Sequence, residues 1–164
     1  MDAYQAVIGK RDRREYDSSK PLSDRVIHRI LQAGRMAGTS SNKQQLRFIA
    51  IKDAGIREEL SKTGPGGAPL KNAPFAVAIL RERDARDFDV GRAAQNMMVA
   101  AWDDGLFSCP IGIRDEDVAR TILGYPDEYV MGICVAFGQP QANLPDRESR
   151  PRLPMEEVVH WERW

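Results

Sequence analysis

Apolar residues that recur every three or four positions mark helices in this chain, and uninterrupted apolar runs between breakers mark buried strands. The clearest helical stretch follows Ser23, a good N-cap, and brings Val26, Ile27, Ile30, Leu31 and Ala33 onto one face. It is expected to fail near Gly38, where the sequence turns to GTSSN. A second begins near Phe88 and repeats Val90, Ala94, Met97, Met98 and Ala101 until Gly105 stops it. Shorter helices are predicted over 3–9, ended by Gly9, over 56–61 and over 116–123. Strand chemistry appears at 48–52 (FIAIK), 75–80 (FAVAIL, between Pro74 and Arg81) and 130–137 (VMGICVAF). Between these lies TGPGGAPLKNAP at 63–74, which reads as a flexible loop, with residues 64–70 a candidate lid.

Helices first, then strands separated by helices, fit an α+β fold better than strict alternation. No repeat or linker divides the chain, so one domain over 1–164 is expected. After Gly138 the sequence becomes polar and rich in proline. A tail such as 139–164 builds no core of its own. Its Met155, Val158, Val159, Trp161 and Trp164 favour an extended path laid across another surface.

Composition narrows the setting. The 24 basic and 24 acidic residues cancel, so no global field draws in nucleic acid or an anionic membrane. Two cysteines without CxxC spacing argue against structural zinc or a disulfide framework. No apolar run nears the roughly 20 residues of a membrane span, and a cytoplasmic location is expected.

Four patches carry candidate chemistry. Lys10, Arg11, Asp12, Arg13 and Arg14 form a basic run. On an extended backbone Lys10, Asp12 and Arg14 share one side and suit a ligand with phosphate and polar ring edges, although the run also suits a solvated turn. Gly38, Thr39, Ser40, Ser41 and Asn42 offer backbone N–H groups and small polar side chains to a heterocycle, or simply end a helix. Ile111 and Gly112, after Cys109 and Pro110, permit close backbone approach to a flat ligand. Arg150 and Arg152, spaced by Pro151, point both guanidinium groups one way, toward a phosphate monoester or into solvent. Cys109 reads as a buried structural residue, because the only histidines are His28 and His160. No dinucleotide-binding glycine turn, P-loop or hydrolase motif is present, and Pro69 and Pro74 follow GPGG where a Rossmann turn would place a helix. No acid, base and nucleophile set stands out, so no side chain is assigned as catalytic and a bound cofactor would do the chemistry.

In order, these patches resemble the nitroreductase family of FMN-dependent oxidoreductases. KRDRREY at 10–16 resembles the family's RRSxRxF segment, and AGTSSNKQQLRF at 37–48 is similar to its APSSxNxQPWxF loop. DVGRAAQNMMVAA resembles the central helix, GLFSCPIG and LGYPDEYVMGICVAFGQP the later strands, and RPRLPMEEVVHW the basic tail. Lys10 stands for Arg, Asp12 for Ser, Gly38 for Pro, Thr39 for Ser, Gln45 for Pro and Leu46 for Trp.

The resemblance implies a homodimer with a mainly antiparallel central sheet flanked by helices and FMN at the subunit interface. The tail would wrap the partner and add a strand to its sheet. Lys10, Arg150 and Arg152 match the phosphate positions. Asp12 and Arg14 match those meeting the ribityl chain and ring, with Arg11 beside them and Arg14 a candidate electrostatic aid. Gly38, Thr39, Ser40 and Asn42 match contacts made from the opposite subunit, while Ile111 and Gly112 match the backbone beside the hydride-accepting nitrogen. The implied reaction takes hydride from NADH or NADPH to a nitroaromatic or quinone-like acceptor. The alternative is a flavin-sequestering protein without significant turnover.

Overall fold

The computed structural model describes residues 2–142 and 151–164. Four strands form one antiparallel sheet in the order β1-β2-β4-β3: β1 Leu46–Ile51, β2 Phe75–Glu82, β3 Phe107–Ile111 and β4 Tyr129–Gly138. Around it lie α1 Ala3–Gly9, α2 Asp24–Arg35, α3 Ala54–Ser61, α4 Ala68–Asn72, α5 Asp87–Asp103, α6 Glu116–Leu123 and α7 Met155–Val158. The expected α+β class with a mainly antiparallel sheet is therefore observed.

Side-chain size decides which helices cover which face. Phe75, Val77, Ile79, Val135 and Phe137 face one way and pack with α2 and α5. The alternate positions Ala76, Ala78, Cys134 and Ala136 are small and pack with Leu60 of α3, Leu70 of α4 and Ala119 of α6. Both faces are covered, which explains why β2 reads as a continuous apolar run.

The β2–β4 register shifts between Ile79 and Leu80, which pair with Ile133 and Met131 and leave Gly132 over as a bulge residue. A Cβ on Gly132 would stand 2.7 Å from Val90 Cγ1, so the bulge glycine lets α5 lie close to the sheet. Gly34 does the same between helices, since its Cβ would meet the Met97 side chain. The small-residue and methionine face of α5 therefore packs largely within this chain. At the far end of α5, Arg29 of α2 ties down Asp104 at 2.6 Å and Asp103 at 3.1 Å.

Two elements differ from the sequence expectation. The supposed loop at 63–74 contains α4, started with Pro69 in its first turn, where proline's missing N–H costs nothing. Gly67, Pro69 and Leu70 are buried, and a Cβ on Gly67 would collide with the Ser61 carbonyl. Thr63 O accepts from both Arg114 N–H and Asp115 N–H at 3.1 Å, tying the segment to the end of β3. The tail also departs from a wholly extended path, because Met155–Val158 makes one helical turn. Among the described residues no helix is long and apolar enough to cross a membrane.

Candidate functional site

The basic run after α1 lies along the outer edge of β3. Asp12 bridges Ser108 in parallel register, and Arg13 N–H donates to Ser108 O at 3.2 Å. The Arg13 guanidinium sits 5.6 Å from the Phe107 ring centroid. Tyr16 locks the turn that follows: it is buried, and its hydroxyl donates to Arg13 O at 2.7 Å. Burial and neighbouring acidic groups push the Tyr16 phenol far above its ordinary pKa, so it remains a neutral strut.

On this seam Lys10 donates to Asp12 Oδ1, with Met98 Sδ also within 3.4 Å of its ammonium. The Lys10 side chain is 10% exposed and that of Asp12 51%, so a nearly buried cation is paired with a carboxylate that opens to solvent. Arg11 instead closes α1, its guanidinium donating to Ile8 O at 2.8 Å and Lys10 O at 3.0 Å. The exposed Arg14 guanidinium lies against the Cys109 thiol. Burial raises the Cys109 pKa, and Arg14 opposes that rise only in part. Cys134 is fully enclosed, and its pKa is pushed up to about 12. Neither sulfur is a ready thiolate at neutral pH, consistent with a structural reading of both.

Ile111 ends β3 buried, and Gly112 beyond it is exposed with no atom within 4 Å of where a Cβ would stand. Gly64 closes over it, since a Cβ there would stand 3.0 Å from Gly112 O. Lys10, Asp12, Arg14, Ile111 and Gly112 are thus gathered at one sheet edge by segments distant in sequence.

Gly38, Thr39, Ser40 and Asn42 lie elsewhere. Their loop leads into β1, at the opposite edge of the sheet, roughly 14 Å away across three strand spacings. The loop is held in an unusual shape: Ser41, Asn42 and Gln44 have φ of 50°, 54° and 54°. Left-handed backbone at non-glycine residues costs about 1 kcal/mol each or more, and it concentrates where geometry serves a ligand. Thr39 supports the turn by accepting from Gln44 N–H at 3.0 Å. Gly38 packs on the Arg92 guanidinium of α5, with room for no side chain unless Arg92 moves.

Arg152 is exposed on the tail, and Arg150 lies outside the described residues. His28 lines a groove beside β1, and His160 stacks on Trp164 at 4.1 Å.

One feature escaped sequence reading. A cavity of about 650 Å³ opens beside the loop, lined by Arg35, Lys43 and Arg47 together with Thr39, Asn42 and Phe48. A second, of about 430 Å³, shares Met36 and Gly38 with it and adds Arg92. These cations come from α2, a loop, β1 and α5, so no contiguous run announces them.

The chain belongs to the nitroreductase family, whose pattern matches residues 7–63 and 67–139. An Archaeoglobus fulgidus protein with the provisional name NADH dehydrogenase/NAD(P)H nitroreductase is 26% identical over 174 residues, covering 99% of each chain. An NADPH-dependent oxidoreductase of Staphylococcus aureus is 29% identical over 167 residues, spanning 87% of this chain and 66% of its own length. The solved FMN-dependent nitroreductase of Clostridium difficile shares the fold, with a TM-score of 0.85 at 24% identity over 98% of this chain and 99% of that one.

Proposed function

We propose that this protein is a homodimeric FMN-dependent oxidoreductase. When bound, FMN would accept hydride from NADH or NADPH and pass the electrons to a small electron-poor acceptor, such as a nitroaromatic or quinone, in ping-pong order. The observation that carries the reading is the seam at β3, where the segment carrying Lys10, Asp12 and Arg14 runs parallel to the strand whose end exposes Gly112. Family membership and the NADPH- and FMN-dependent relatives point to the same chemistry.

The residues fit a phosphorylated flavin. Lys10, with Arg150 and Arg152 of the tail, would hold the phosphate as charge-assisted donors. Asp12 accepts from Lys10 and keeps its exposed oxygen available to a hydroxyl donor. Arg14 supplies fixed positive charge at the ring's polar edge, which favours charge developing there. Gly112 lets backbone come close to a flat ring, and Gly64 packs against its carbonyl.

A second subunit supplies what one chain lacks. The loop carrying Thr39, Ser40 and Asn42 lies across the sheet from the seam, so only a partner's copy would complete the site. Apolar surface supports the dimer: Tyr4, Val7 and Ile8 of α1, Met36 and Phe88 are exposed, as are Leu153, Met155 and Trp161 on the tail. Asp12 and Arg13 cover the β3 edge, while β1 is an edge strand among the described residues, to which a partner's tail could add a strand.

Light scattering with an absorbance scan tests this assembly. The expected particle has twice the 18.4 kDa chain mass and carries about one flavin per chain. A colourless monomer that takes up no added FMN would overturn the reading.

A further inference from the structure

We infer that Arg114 selects the acceptor at the proposed flavin site, favouring electron-poor aromatics that carry a carboxylate. This rests on the proposed oxidoreductase reading and names the substrate class of that same site. Arg114 lies in the connection between β3 and α6, just beyond Gly112. Its backbone is fixed on both sides. Arg114 N–H and Asp115 N–H both donate to Thr63 O at 3.1 Å, and Asp115 Oδ1 caps α6 by accepting from Val118 N–H at 3.1 Å. Its side chain runs beside Gly64, where a Cβ would stand 3.8 Å from Arg114 Cγ and 3.0 Å from Gly112 O. One glycine thus touches both the open backbone and the stem of the arginine.

The guanidinium itself is left over. Arg114 is exposed, and among the described residues no carboxylate pairs with it. The acids that follow it are engaged elsewhere, Asp115 at the α6 cap and Glu116 with Arg120 at 2.9 Å and Met131 N–H at 3.3 Å. Gly64 and Gly66 place no side chain beside Gly112, and a Cβ at Gly66 or Gly112 would meet no atom within 4 Å. A flat acceptor has room on this bare backbone, with a cation at its rim. Charge then discriminates between acceptors. The guanidinium is planar and always charged, and its fork of N–H donors matches a carboxylate in two parallel bonds. A neutral nitroaromatic or quinone of the same shape gains neither. The chain has zero net charge, so no global field supplies the preference and it traces to the local cation.

The test uses the full chain loaded with FMN, its loading read from the flavin absorbance. Calorimetric titration at low ionic strength compares para-nitrobenzoate with para-nitrobenzamide, which differ in charge and little in shape. No hydride donor is present, so the flavin stays oxidised and no turnover intervenes. The expected result is about tenfold tighter binding of the carboxylate, the order of one charge-assisted pair, shrinking as salt is added. The preference is expected to vanish in Arg114→Ala and to survive in part in Arg114→Lys, which keeps the charge and loses the fork. The side chain is exposed, so both variants are expected to fold, and their melting temperatures check this. In turnover with NADPH, Arg114→Ala lowers the carboxylate-to-amide ratio of kcat/KM about tenfold. Equal binding of the two compounds, binding of neither, a preference that survives Arg114→Ala, or a loss confined to flavin reduction by NADPH overturns the inference. A protein that takes up no FMN, or whose flavin stays oxidised with NADPH, overturns the oxidoreductase reading itself. Absorbance alone shows that, so the two failures are distinct.

Discussion

Exchange of Lys10 and Arg152 for alanine together is expected to release FMN on dialysis. Each proposed phosphate contact is charge-assisted and worth about 1.5–3 kcal/mol, so losing both weakens flavin binding roughly 100- to 10,000-fold. Lys10 should dominate. Its side chain is only 10% exposed, and its removal leaves Asp12 without its cation. The phosphate would then meet a bare carboxylate where it had met a balanced pair. Adding Asp12→Asn to Lys10→Ala should therefore recover part of the lost affinity, an outcome that simple loss of a surface charge does not produce. Flavin fluorescence titration measures each constant. Because the Lys10 side chain is nearly buried, its removal also costs packing, and the melting temperature of the unliganded variant is measured alongside to confirm that it is folded. Wild-type affinity in the double variant would remove Lys10 and Arg152 from the phosphate site.

Phe137→Ala is expected to cause the largest loss of stability. Phe137 is fully buried in β4, with its ring centroid 6.0 Å from that of Phe75. Removing a buried phenylalanine side chain costs about 3–5 kcal/mol, which lowers the melting temperature of a chain this size by about 6–20 °C. The effect reaches the seam, because Phe137 pairs with Ser108, and Ser108 anchors Asp12 and Arg13. Scanning calorimetry at fixed protein concentration checks this, since the proposed dimerisation would make melting concentration-dependent. A decrease of less than about 2 °C would show that the sheet face around Phe75 repacks without cost.

The elements legible in the sequence were those whose pattern belongs to one period. The helix after Ser23, the long helix ended by Gly105, and the apolar runs of β2 and β4 all appear where expected. The strand β3 was suggested only by family resemblance, because five residues centred on Cys109 and containing Pro110 carry no usable alternation. An edge strand tolerates that proline, which a central strand would exclude. Helix α4 was hidden by GPGG and two prolines, whose usual meaning is a loop. Its stability comes from burying Pro69 and Leu70, which only the tertiary fold reveals.

The candidate site divides in the same way. Lys10, Asp12 and Arg14 stood out because they are contiguous and alternate along an extended backbone. That Lys10 is nearly buried while Arg11 caps a helix depends on how α1 meets α5, which composition cannot supply. The cavity cations Arg35, Lys43, Arg47 and Arg92 are dispersed over four segments and became a group only in three dimensions.

Anaerobic rapid mixing of the FMN-loaded protein with NADPH tests the central claim most directly. The account predicts that the visible flavin absorbance bleaches within seconds and returns when a quinone or nitroaromatic is added. Bound flavin that stays oxidised for minutes with both NADPH and NADH would contradict it, and would leave a protein that holds flavin without using it.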